Sequence, residues 1–121
     1  MQEGSSSPWG KIQHVTQLAP GAWSVSTAGH GGIKLDATRN RRVPKGARQP
    51  GGWYEEDCQW AIAAYVHADV GDAMLKGARE SNPEKYAGTA YLVETISYWE
   101  HPDVCTALGL TKATPGWNAR T

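Results

Sequence analysis

The sequence has no phenylalanine, two cysteines and no net charge, with 12 Lys and Arg balancing 12 Asp and Glu over 121 residues. Each shortage excludes something. No apolar run approaches the roughly 18 residues of a membrane span, so no membrane partner is expected. The opening MQEGSSSPWG has neither a basic lead nor an apolar stretch. No secretory signal is therefore expected, and the expected compartment is the cytoplasm. Cys58 and Cys105 stand 47 positions apart with no CxxC spacing. They read as reduced, inert, part-buried thiols, and the spacing supports neither a disulfide nor a four-ligand zinc site. Net neutrality disfavours general nucleic-acid affinity, since free-standing nucleic-acid binders are more basic overall.

What is present is a chain of one-domain length with 40% hydrophobic residues, six Trp and five Tyr. Trp and Tyr carry a large apolar body and a polar handle, a mixture suited to rings that sit half in a core or at an interface. Neutrality also hides an asymmetry. Residues 1–48 hold seven cations and two anions; residues 49–121 hold five cations and ten anions. Six of the seven N-terminal cations fall between Lys34 and Arg48. Three readings follow: the oppositely charged halves attract each other within one fold, the basic segment is a solvated face, or it touches phosphate or an acidic partner.

The pattern along the chain gives an α+β domain over residues 9–110, between a disordered lead (1–8) and a flexible tail (111–121). Ile12 to Leu18 suits a strand. Ala19-Pro20-Gly21 is a turn, and Ala22 to Thr27 alternates with period two, completing a hairpin. Ile33 to Leu35 supplies a short third strand. Asp36 is placed to cap a helical turn running through Arg42, stopped before Pro44. After Pro50-Gly51-Gly52 the character becomes helical. Trp53 to His67 reads as the central helix, with Glu55, Glu56 and Asp57 favoured in its first turn by the helix dipole. Further helices are expected over Asp72–Glu80, from Asn82-Pro83, over Thr89–Trp99 with Leu92, Ile96 and Trp99 on one stripe, and over Pro102–Leu108. The expected architecture is a small N-terminal antiparallel sheet packed on about three C-terminal helices.

Two segments carry the distinctive chemistry. In TAGHGG, residues 27–32, His30 stands among three glycines that permit close backbone approach. This segment lacks the spacings of a phosphate-cradling loop, and no cofactor is expected. His30 can be structural, a binding contact, a metal ligand or a general base. In PGGWYEEDCQWA, residues 50–61, three consecutive carboxylates cannot share one helix face, whereas Glu56 and Trp60 can. One of these carboxylates beside His30 would join the two segments, so His30 is expected within about 4 Å of a polar atom in residues 51–60. No Ser/His/Asp ordering and no HExxH, DxD or HxH pattern accompanies them. His14, His67 and His101 are isolated and read as structural.

TAGHGGIKLD followed by PGGWYEEDCQWA resembles an uncharacterised family of small proteins and domains of phages, plasmids and proteobacterial mobile DNA, whose members read TAxHGGxxLxxxR…P…GGWYEEDxxWA. The likeness covers residues 8 to about 67 and extends weakly to Asn82–Tyr86. It implies a genetic setting rather than a reaction. Small neutral proteins of that setting are often accessory factors that bind a host or defence-complex protein, anti-CRISPRs among them. On that reading the expected contacts are His30, Lys34, Arg39, Arg41, Arg42, Arg48, Trp53, Tyr54, Glu55 and Glu56, with no catalytic residue. Two alternatives stand beside it: a small hydrolase or transferase using His30 with a carboxylate of Glu55–Asp57, and a nucleic-acid contact through residues 34–48. The sequence sets no oligomeric state.

Overall fold

The turn at Pro20-Gly21 reverses the chain between β3 (His14–Ala19) and β4 (Ala22–Ser26), which pair antiparallel with a bulge between Gln17 and Ala19. β5 (Gly31–Leu35) adds to β4, and β6 (Trp53–Glu55) adds to β5, giving an antiparallel sheet of order β3-β4-β5-β6. A separate hairpin, β1 (Ser6–Ser7) and β2 (Gly10–Lys11), precedes it. Helices follow: α1 (Ala37–Arg42) lies between β5 and β6, then come α2 (Trp60–Val66), α3 (Ala68–Ser81), α4 (Pro83–Tyr86), α5 (Ala90–Trp99) and α6 (Pro102–Ala107). This is an α+β fold, seen in a computed structural model that describes residues 1–113.

Strand alternation sorts the sheet's side chains. Ala22, Ile33, Leu35 and Tyr54 point inward and are fully buried with Ala61–Ala64 of α2, Val70 and Leu75 of α3, and Leu92 and Ile96 of α5. Trp23, Lys34 and Trp53 form a cross-strand row on the opposite face. That outer face is covered by the N-terminal hairpin, so the lead expected to be disordered is built into the structure. Trp9 meets Trp53 edge-to-face at 5.5 Å between ring centroids, and Ile12 and Val25 are each 2% exposed. Gly32 makes this possible. A Cβ there would lie 2.1 Å from the Tyr54 carbonyl oxygen and 2.7 Å from the Trp9 ring.

The hairpin, the third strand and the first helix follow the sequence reading. Asp36 caps α1, its carboxylate accepting from the Arg39 amide at 2.8 Å. The long central helix does not. Trp53–Glu55 is a strand, Glu56–Gln59 is a turn, and α2 begins only at Trp60. Trp and Tyr favour strands, β5 offers an open edge, and alternation buries Tyr54 while leaving Trp53 outside. No acidic residue stands in the first turn of α2, so the dipole account of the acidic triplet fails. α3 begins four residues before its expected start, because the His67 carbonyl accepts from the amides of both Val70 and Gly71 at 3.0 Å. In α5 the inward row runs Leu92, Ile96, Glu100 at steps of four; Trp99 falls off it and is 68% exposed. Of the expected tail, Lys112 is anchored by donating from Nζ to the carbonyls of Tyr98 and Glu100, each at 2.7 Å. Residues 114–121 lie outside the described residues.

Candidate functional site

The two distinctive segments meet through the β5–β6 ladder, which sets Gly32 opposite Glu55 and Lys34 opposite Trp53. A tight turn precedes β5: Thr27 N–H donates to the His30 carbonyl at 2.8 Å, and His30 N–H donates to Thr27 Oγ1 at 3.2 Å. The Glu56 amide then donates to the Gly31 carbonyl at 2.9 Å, tying the acidic turn to the glycine pair. His30 Nδ1 stands 3.7 Å from Glu55 Oε1, within the expected reach. The side chains are 56% and 35% exposed, so this is a solvent-screened pair of small energetic weight.

Behind this pair, on the helix side of the sheet, lies a cleft of about 250 Å³. Ser24, Ser26 and Gly31 form its sheet wall; Glu56, Trp60 and Met74 close it from the acidic turn, α2 and α3. Trp60 and Met74 also pack against the core. Glu56 and Trp60 do share a site, although a turn rather than a helix face brings them together. Met74 and the two serines were not singled out by the sequence reading; the period-two alternation of Ser24 and Ser26 was the available signal.

The basic segment divides into engaged and free cations. Arg39 makes two bonds to Asp69, at 2.8 and 2.6 Å, and donates from Nε to the Pro20 carbonyl at 2.7 Å. This contact draws the basic N-terminal half to the acidic C-terminal half. The hydrogen bond from Arg39 holds the Asp69 carboxyl down at about 2, and the same bond raises the guanidinium. Arg48 reaches back to the carbonyls of Val43 and Arg41, each at 3.0 Å. Lys34 donates to the Gly51 carbonyl and lies 4.9 Å from the centre of the Trp53 ring. Burial pulls its ammonium below the usual lysine value, an effect Asp36 partly offsets. Arg41, Arg42 and Lys45 are exposed, and none forms an ion pair among the described residues.

Two of the expected contacts are therefore internal fittings. Tyr54 is fully buried, and Arg39 is committed to Asp69. Trp53 is half-buried under Trp9, while Glu56 is exposed.

A second cleft, of about 500 Å³, is bordered by Arg39, Arg42, His67 and Asp69. His67 is 7% exposed, and its Nε2 lies 2.9 Å from the Arg39 carbonyl. That nitrogen must carry the proton and donate, since a carbonyl only accepts. Burial pushes the His67 value down, and the neighbouring arginines Arg39 and Arg42 act in the same direction. The sequence reading of His67 as structural fits this contact.

Cys58 is half-buried with its thiol pushed up to about 12, by burial first and then by the nearby Glu100 and the surrounding carboxylates. Glu100 Oε1 is buried without a hydrogen-bond partner among the described residues. No group of three or more His, Cys, Asp or Glu side chains among the described residues gathers into a metal-binding cluster. No helix there is long and apolar enough to cross a membrane.

A family described as a domain of unknown function (DUF7007) matches residues 2–103. The chain belongs to that family. No curated protein and no solved structure matches it.

Proposed function

We propose that this protein is a non-catalytic accessory protein of a phage or plasmid that binds a host or defence-complex protein in the bacterial cytoplasm, in the manner of an anti-CRISPR-type inhibitor. One observation carries the binding reading: Arg41 and Arg42 at the end of α1, and Lys45 on the turn that follows, stand exposed without a carboxylate partner among the described residues, on a segment that is itself held in shape. Arg48 clips that turn through two main-chain carbonyls. The Val43 and Ala47 side chains beneath it are fully buried. A preorganised cationic knuckle costs little ordering entropy on association and steers an acidic surface toward it. The mobile-element setting rests on the sequence resemblance alone.

The test is charge reversal, Arg41→Glu with Arg42→Glu. The melting temperature should stay within a few degrees, because exposed charges contribute little to stability. Capture of the partner from nuclease-treated host lysate should be lost, while the wild-type protein retains it and shows strong salt sensitivity. Capture that vanishes on nuclease treatment of the wild type would favour the nucleic-acid reading. A target altered in mass by sub-stoichiometric protein, with His30→Gln abolishing the effect, would favour the enzyme.

A further inference from the structure

We infer that the cleft between Gly31, Glu56, Trp60 and Met74 is a binding site for an alkyl-guanidinium group, distinct from the basic 41–48 turn. The cleft holds about 250 Å³, just below the roughly 300 Å³ at which drug-sized pockets begin. That is room for one side-chain-sized group. Its depth is apolar and firm, because Trp60 and Met74 are packed against the core. A methylene stem can shed water against a ring and a thioether there.

Its mouth selects charge. Glu56 is exposed and forms no ion pair among the described residues, and no Lys or Arg lines the cleft. The carboxylate is folded back over the sheet rather than extended into water: Oε2 lies 3.4 Å from where a Cβ on Gly31 would stand. The 2.9 Å bond from the Glu56 amide to the Gly31 carbonyl fixes that approach. Glycine at position 31 is required by the Val25 carbonyl, 2.8 Å from where a Cβ would stand, and it leaves the carboxylate in contact distance of bare backbone. On the opposite wall, the hydroxyls of Ser24 and Ser26 make no hydrogen bond to another described residue. A planar cation with a fork of N–H donors matches one carboxylate and two hydroxyl acceptors better than a point-charge ammonium does. The Trp60 ring adds a face on which guanidinium stacks. An anion would meet Glu56, with Glu55 and Asp57 beside it in sequence, and no Lys or Arg among the residues that line the cleft.

Guanidinium can arrive on a free small molecule or on an arginine side chain, and two probes separate these sources. Titrations of n-butylguanidinium and of a capped Gly-Arg-Gly peptide into the full chain are followed by the Trp60 indole N–H and Gly31 amide resonances. Saturable shifts with n-butylguanidinium are expected. The same shifts with the peptide assign the site to arginine side chains; butylguanidinium binding without peptide binding assigns it to a free ligand. Glu56→Gln should weaken binding about tenfold or more, Ser24→Ala with Ser26→Ala several-fold, and neutral n-butylurea should not bind. Glu56 is exposed and the serines are only half-buried, so both variants should keep the wild-type spectrum elsewhere. No saturable shift with either probe, equal binding of butylurea, or unchanged affinity in the Glu56→Gln protein would overturn the assignment. Loss of partner capture on charge reversal at Arg41 and Arg42 bears on residues that do not line this cleft and leaves this result unaffected.

Discussion

The Tyr54 hydroxyl donates to Asn40 Oδ1 at 2.6 Å, joining the last strand of the sheet to α1. The same oxygen accepts from the Gln49 amide at 3.3 Å, and Asn40 Nδ2 donates to the Gln49 carbonyl at 3.0 Å. Three segments, one from the basic half and two from the start of the acidic half, are thereby fastened around one buried phenol, whose value burial pushes upward. Tyr54→Phe keeps the ring but strands the half-buried Asn40 side-chain carbonyl and the Gln49 main-chain N–H. It should cost about 1–3 kcal/mol, read as a lower urea midpoint at unchanged slope. An unchanged midpoint would show that the 40–49 loop does not depend on this hydroxyl.

His67 should make stability fall in mild acid. Its folded value lies below the ordinary imidazole value because of burial, so in the window below about 6.5 the unfolded chain takes up the proton first. The unfolded state then binds more protons, and stability is lost as pH falls. The urea midpoint should drop between pH 7.5 and pH 5.5, and His67→Gln should flatten that slope. A steeper slope in the variant would place the acid sensitivity elsewhere.

Asp69 acts lower on the scale. Its carboxyl is held at about 2 by the Arg39 hydrogen bond, against 3.8 for the ordinary group. The stabilisation it gives is complete above the unfolded value and disappears as pH falls through the folded one. The stability gap between wild type and Asp69→Asn should therefore close between about pH 4 and pH 2. The side chain is 53% exposed, so solvent screening keeps the gap modest. A gap that persists to pH 2 would mean that the contact contributes by packing rather than by charge.

Cys58 should be a poor nucleophile. With its thiol pushed up to about 12 by burial and by Glu100, almost no thiolate is present at pH 8. Iodoacetamide should label the native chain far more slowly than a free thiol, and label both cysteines readily in denaturant. Fast native labelling at Cys58 would show that Glu100 and the burial around it are not as described.

The sequence was most informative where one physical signal acted alone. Alternation at Trp23 and Val25, the Pro20-Gly21 turn and the Asp36 cap each specify local geometry without help from the rest of the chain, and each appears as expected. The His30–Glu55 approach was also legible, because two glycine-rich motifs invited contact. Trp53–Glu55 was misread because a strand of three residues is too short to show a period, and its partner lies about 20 positions upstream. Nothing local distinguishes it from a helix start. The separation of Arg39 from Arg41 and Arg42 was equally hidden: three arginines within four positions differ only in that the first reaches Asp69, 30 residues on. The fate of a charge run depends on tertiary neighbours.

The hairpin at the start of the chain acts as a cover for the sheet's second face, with the Trp9 ring resting where Gly32 has no side chain. A fusion joined ahead of Met1 leaves that cover in place. A version trimmed to begin after β2 would instead carry Val25, Trp53 and a stretch of bare Gly32 backbone into water. A flat aromatic surface of that kind pairs with its own copies. A chain trimmed in this way should therefore associate with itself more readily than the full chain, as light scattering of the two would read.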